Sequence, residues 1–129
     1  MNEYEVLFQE IEEQTKSQSL RWRQINRRDN ADLILNSNLI LRQFAADFTR
    51  GENHFVLLFV EKKDNDALFD SLFQSAPFQR SEPEILVLDD GELITTLTDS
   101  VIDRGAMLRL LDMVEMCSDK VRKLFGARA

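Results

Sequence analysis

Three groups of side chains in this sequence could do chemistry. His54 is the only histidine and Cys117 the only cysteine, so a mechanism needing an imidazole or a thiol rests on a single residue of each type. His54 opens an apolar run after a turn, with no serine or cysteine beside it in a nucleophile setting. Cys117 falls on the apolar stripe of a helical segment. Both read as structural. Asp89-Asp90-Gly91-Glu92 offers carboxylates to a divalent cation, and together with His54 it supplies the groups a metal-dependent hydrolase would use. A calcium or magnesium site wants several oxygens converging from one loop, as in the twelve-residue calcium-binding spacing, which this segment lacks. Asp-Gly between two β-rich runs is instead the signature of a hairpin whose type I′ turn needs two positive φ angles. The third group is Arg21, Arg23, Arg27 and Arg28 around Trp22. Arginines interleaved with an aromatic can hold single-stranded nucleic acid by charge and stacking. Here alternation puts Trp22 on the pleat opposite Arg21 and Arg23, which predicts a buried ring and a charge contact to protein rather than to nucleic acid.

The elements that would position these groups follow from periodicity. Tyr4, Leu7, Phe8 and Ile11 recur at i, i+3, i+4 and i+7, and five glutamates surround them, which predicts an amphipathic helix over residues 3–17. Leu20 to Asn26 alternates as a short half-buried strand. Arg27 to Ala31 is turn-like, and Asn36-Ser37-Asn38 predicts a turn or kink between two apolar triplets. Phe44, Ala46 and Phe48 alternate up to the loop Arg50-Gly51-Glu52-Asn53, and His54 to Glu61 is apolar on both faces, as in a central covered strand. Ala67 to Gln74 suits a short helix, and Ser75 to Pro83, with both prolines, suits a loop. Glu84–Asp89 and Glu92–Thr98 form the two arms of the Asp90-Gly91 hairpin. Asp99, Ser100 and Asp103 offer N-caps to a long helix whose apolar stripe runs from Met107 to Phe125 and stops at Gly126. The expected fold is a single α+β domain over residues 1–129: an antiparallel sheet of about five strands flanked by an N-terminal and a C-terminal helix, in the order α-β-β-β-(α)-β-β-α.

Composition narrows the function classes. The chain has 129 residues, 43% hydrophobic and 30% charged, with 16 Lys+Arg against 23 Asp+Glu for a net charge of −7. General binding to nucleic acid or to an anionic membrane is disfavoured by that charge. The charge is patterned: residues 1–64 hold 9 basic against 11 acidic groups, and the glutamate-rich first helix is followed at once by the arginine segment. The first fourteen residues lack a basic region of the sorting kind, and the longest apolar run, Phe55 to Val60, is far short of a membrane span. These features predict a cytoplasmic protein with no cofactor and no membrane partner.

Thr15 followed by Leu20-Arg21-Trp22 after an amphipathic helix, then a strand meander, an Asp-x-Gly hairpin and a terminal helix, resembles the layout of many small uncharacterised bacterial α+β proteins. Size, acidity and element order also resemble the effector-binding chaperones of type III secretion, which are small homodimers. The Leu-Gly-Leu-Pro type of turn after their first helix is replaced here by Ser17-Gln18-Ser19-Leu20. Neither resemblance transfers catalytic residues. Taken with the apolar surplus of the central strands, they imply a non-catalytic adaptor or regulator, or a chaperone-like homodimer, whose partner is another protein or a second copy. The expected contact surface is Phe44, Phe48, Phe55, Leu57 and Phe59, with Arg21, Arg23, Arg27 and Arg28 as the charge contact.

Overall fold

The structure is a computed structural model and describes residues 2–26, 40–63 and 81–126. Helix α1 (Glu3–Lys16) is followed by strands β1 (Arg23–Gln24), β2 (Ile40–Arg50), β3 (Asn53–Lys63), β4 (Ser81–Asp89) and β5 (Glu92–Leu97), then helices α2 (Arg104–Cys117) and α3 (Asp119–Leu124). The strands form one sheet in the order β1-β2-β3-β4-β5, every neighbour antiparallel. The α+β architecture is therefore the one the periodicity predicts. The proposed Ala67–Gln74 helix and the turn at Asn36–Asn38 lie outside the described residues.

Register explains the two-sided burial. Phe44 pairs with Phe59 and Ala46 with Leu57, and across the next ladder Phe59 pairs with Ile85 and Leu57 with Val87. These side chains share one face, where they meet Phe8 and Ile11 of α1 and Met107, Leu110, Leu111 and Val114 of α2. Successive strand residues point to opposite faces, so Ala45, Leu58, Val60, Leu86 and Leu88 form a second cluster with Ile40 on the other side.

The expected contact surface is corrected here. Phe44, Phe48, Leu57 and Phe59 are at most 1% exposed and Phe55 is half-buried at the edge of the same cluster. Alternation groups Phe44 with Phe48, and Phe55 with Leu57 and Phe59; the β2–β3 register brings both sets to one face, the one α1 and α2 cover.

Other boundaries also differ from the expected ones, the first strand being Arg23–Gln24 rather than Leu20–Asn26. Ser81, Glu82 and Pro83, placed in a loop by the proline rule, belong to β4 opposite Lys63, Lys62 and Glu61. β5 pairs with β4 only from Ile85 to Asp89, so Pro83 sits in a part of the strand that has a ladder on one side only, where a missing N–H is tolerated. The C-terminal stripe is two helices rather than one. Ser118 is extended (φ −70°, ψ 157°), its hydroxyl donates to the Glu115 carbonyl at 2.7 Å, and α3 starts afresh at Asp119. Asp103 is the N-cap of α2, its carboxylate accepting from the Ala106 N–H at 2.9 Å. At the other end, Gly126 (φ +78°) closes α3 with its N–H on the Lys123 carbonyl.

Candidate functional site: a basic cleft between helix α1, strand β1 and helix α3

Trp22 is the anchor from which the cleft is built. Its ring is 2% exposed and tilts against Phe59 with centroids 6.0 Å apart. Its Nε1–H donates to the Thr15 hydroxyl at 3.1 Å, and that hydroxyl donates to the Ile11 carbonyl at 2.7 Å. Thr15 is thus a helix residue whose side chain has both roles filled internally, a requirement for a hydroxyl at 1% exposure. With Trp22 pointing inward, alternation turns Arg21 and Arg23 outward, and both are exposed.

The turn between α1 and β1 supplies the cleft's polar wall. Ser17 caps α1 through its N–H to the Glu13 carbonyl, and Gln18 takes the left-handed conformation at φ +64°. The Ser17 and Ser19 hydroxyls lie 2.9 Å apart. From the other side, Asp119 at the start of α3 reaches β1 twice. Its N–H donates to the Trp22 carbonyl at 3.2 Å, and its carboxylate accepts from the Gln24 N–H at 3.0 Å. The break at Ser118 is what lets α3 swing into this position.

The resulting cleft has a volume of about 790 Å³. Arg21, Arg23 and Arg122 bring three guanidinium groups to it, with Asp47 and Asp119 as the carboxylates and the half-buried Cys117 thiol on the wall. Arg23 approaches Asp47 at 3.7 Å with both side chains well exposed, a contact of little energetic weight. Arg21 and Arg122 have no ion-pair partner among the described residues. A chain of net charge −7 therefore presents a local excess of cation in one concave place, which suits an anionic group such as a carboxylate. Of the arginines expected to form a charge contact, Arg21 and Arg23 both line this cleft. Arg27 and Arg28 lie outside the described residues. Arg122 and Asp119 were not foreseen, because a single long helix would have spent Arg122 on its own dipole. The Ser118-Asp119 pair, both residues of the N-capping type, was the available signal for a second helix start.

The carboxylate–histidine set is only partly assembled. His54, Asp89 and Asp90 line a second hollow of about 510 Å³ at the hairpin end of the sheet, together with Asp47 and Phe55, and Glu92 is not part of it. His54 Nδ1 is 3.1 Å from the Thr49 hydroxyl. Among the described residues no three His, Cys, Asp or Glu side chains form a group that could hold a metal ion. Asp90 (φ +52°) and Gly91 (φ +81°) have the two positive φ angles of the expected turn.

A separate ion-pair network ties α2 to the sheet. Arg42 of β2 donates to Glu61 at 2.8 Å, to Glu115 at 2.8 Å and to Asp112 at 3.1 Å, and the Ser81 hydroxyl donates to Glu61 at 2.8 Å. Burial works against both charges, but the hydrogen bonds outweigh it. Arg42 is held above its ordinary range, and the Glu61 carboxyl is held below its own by Arg42 and Ser81. Among the described residues no helix is long and apolar enough to cross a membrane. The chain matches no protein-family model, no curated protein and no solved structure.

Proposed function

We propose that this chain is a non-catalytic protein-interaction domain that takes an acidic, carboxylate-bearing segment of a partner protein into the cleft between α1, β1 and α3. The observation that carries this reading is the convergence of Arg21, Arg23 and Arg122 in one cleft, two of them without an ion-pair partner among the described residues, in an otherwise acidic chain. Guanidinium groups recognise carboxylates with paired, directed hydrogen bonds. Leu124 and Phe125, which follow Arg122 at the end of α3 without lining the cleft, are 76% and 67% exposed, large values for side chains that favour burial.

A fluorescently labelled decapeptide rich in glutamate and leucine, titrated against its glutamine counterpart, tests the reading by anisotropy. The glutamate peptide should bind, weaken as salt rises, and lose at least tenfold in affinity to Arg21→Glu combined with Arg122→Glu. Equal affinity for the glutamine peptide overturns the reading. So does tighter binding of a single-stranded oligonucleotide at the same arginines, which would make the cleft a nucleic-acid site.

A further inference from the structure

β5 is the edge of the sheet, and among the described residues no strand pairs with its outer side. In an antiparallel sheet alternate residues of an edge strand send their N–H and C=O groups outward. Residues 92–97 make no backbone hydrogen bond outside the β4–β5 hairpin among the described residues. Natural edges are commonly blunted by lysine, by proline, by a bulge or by a covering element, of which β5 shows only a bulge among the described residues. β5, Glu92-Leu93-Ile94-Thr95-Thr96-Leu97, has neither lysine nor proline, and Leu93 and Ile94 are 40% and 51% exposed. A bulge in the β4–β5 register falls beside these two side chains, between Val87 and Leu88. The centre of the edge is therefore apolar, with outward backbone groups that have no partner among the described residues.

Its two ends are acidic. From Pro83 to Asp103 the chain carries Glu84, Asp89, Asp90, Glu92, Asp99 and Asp103 and no lysine or arginine. Asp89, Asp90 and Glu92 stand exposed at one end of β5 and Asp99 at the other, and none of the four is in an ion pair among the described residues. A second copy of the chain would bring the same carboxylates to the same ends. A strand with cations at both ends would meet opposite charge whichever way it ran.

We infer that β5 is a docking edge for an extended segment of a partner polypeptide, apolar in the middle and basic at both ends, which adds to the sheet as a sixth strand. Main-chain hydrogen bonds hold such a segment, and Leu93, Ile94 and the flanking carboxylates select it. This edge is independent of the arginine cleft at the opposite edge and takes the opposite charge.

A nine-residue peptide alternating valine and threonine, with a lysine at each end, serves as the probe. Added to the full chain, it should slow amide exchange across residues 92–97 at least tenfold, and its binding should weaken with salt. The same peptide with glutamate at its ends should bind at least tenfold more weakly, and one with alternate backbone nitrogens methylated should not bind. Ile94→Lys should reduce affinity at least tenfold and leave acidic-peptide binding at the cleft unchanged. Glu92→Lys, at a fully surface position, gives the same readout should the first variant fold poorly. Exchange at 92–97 that the lysine peptide leaves unchanged overturns the proposal, as does equal binding of the glutamate-ended peptide. A dimer in sedimentation that Ile94→Lys dissociates also overturns it, because the occupant would then be a second copy.

Discussion

At the β1 edge of the sheet the outward carbonyl of Trp22 and the outward N–H of Gln24 are both taken by Asp119 of α3, whereas at the β5 edge the outward groups of residues 92–97 have no such partner among the described residues. The first edge is two residues long and sits beside a helix. The second is six residues long, apolar at its centre and carboxylate-rich at its ends. A covered edge cannot template another strand, and an uncovered one can. What remains available there is the side chains of Arg23 on β1 and Arg21 just before it, so one edge is suited to recognition by side-chain charge and the other to recognition by backbone.

The contrast is broken most severely by removing the anchor of the covered edge. Trp22→Ala deletes a ring buried in the main core, its contact with Phe59 and the hydrogen bond that uses the Thr15 hydroxyl. Stability should fall by about 3–5 kcal/mol in urea unfolding followed by circular dichroism. Leu93→Ala, at 40% exposure on the open edge, should lose less than about 1 kcal/mol. Comparable losses at the two positions would show that β5 is as tightly held as β1 and would remove the asymmetry.

A second break acts on α2, the helix that leads into α3. Arg42→Ala leaves Glu61, at 13% side-chain exposure, without the cation that holds its carboxyl low, and it releases Glu115 and Asp112 of α2. The expected loss near neutral pH is about 2 kcal/mol, below the range for fully buried pairs because Arg42 is still 20% exposed. The sign with pH follows from linkage. Glu61 titrates lower in the folded chain than in the unfolded chain, so its contribution is complete above the ordinary carboxylate range and is lost as pH falls through the depressed folded value. Denaturation curves at pH 7 and pH 3 should therefore converge between wild type and variant at the acid end. A difference that is equal at both pH values would mean that Arg42 acts by packing alone.

How far these regions could be read from the sequence depends on what carries each signal. Core faces are periodic, so the α1 stripe, the alternation of β2 and β3 and the Asp90-Gly91 hairpin were legible residue by residue. Periodicity says that Phe44 and Phe48 lie on one side of their strand, and Leu57 and Phe59 on one side of theirs, but not which side the helices choose, and the contact surface was misplaced for that reason. The apolar stripe from Met107 to Phe125 runs unbroken through Ser118, so the break that makes α3 had no hydropathy signal. It is set by one local acceptor, the Glu115 carbonyl three residues before Ser118, and one tertiary acceptor, the Trp22 carbonyl, 97 positions away from Asp119 in sequence. The cleft inherited that blindness: Arg21 and Arg23 were visible as part of a cluster, and its α3 members were not.

Asp119→Ala sharpens the contrast at a smaller scale. It removes the acceptor of the Gln24 N–H while leaving the Asp119-to-Trp22 main-chain bond possible. About 1 kcal/mol should be lost, the lower end for a hydrogen bond to a charged group because the site is exposed. Amide exchange at Gln24 should approach that of outward amides in β5. If Gln24 stays protected, α3 covers the edge by burial and the side-chain cap is dispensable.

The smallest effect separates charge from stability. Asp47→Asn removes the exposed partner of Arg23, and the 3.7 Å contact between side chains 49% and 81% exposed should contribute less than about 0.5 kcal/mol to folding. The same change takes one of the two carboxylates from the cleft and leaves all three guanidinium groups facing it. Affinity for the acidic peptide should then rise two- to threefold at low salt, and the gain should vanish near 0.5 M salt, where screening acts within about 4–5 Å. Binding of the lysine-ended peptide at β5 should fall by less than about twofold, since Asp47 lies on β2 and only shares the hairpin-end hollow with Asp89 and Asp90. A gain at β5, or none at the cleft, would mean that the two edges do not divide recognition by charge.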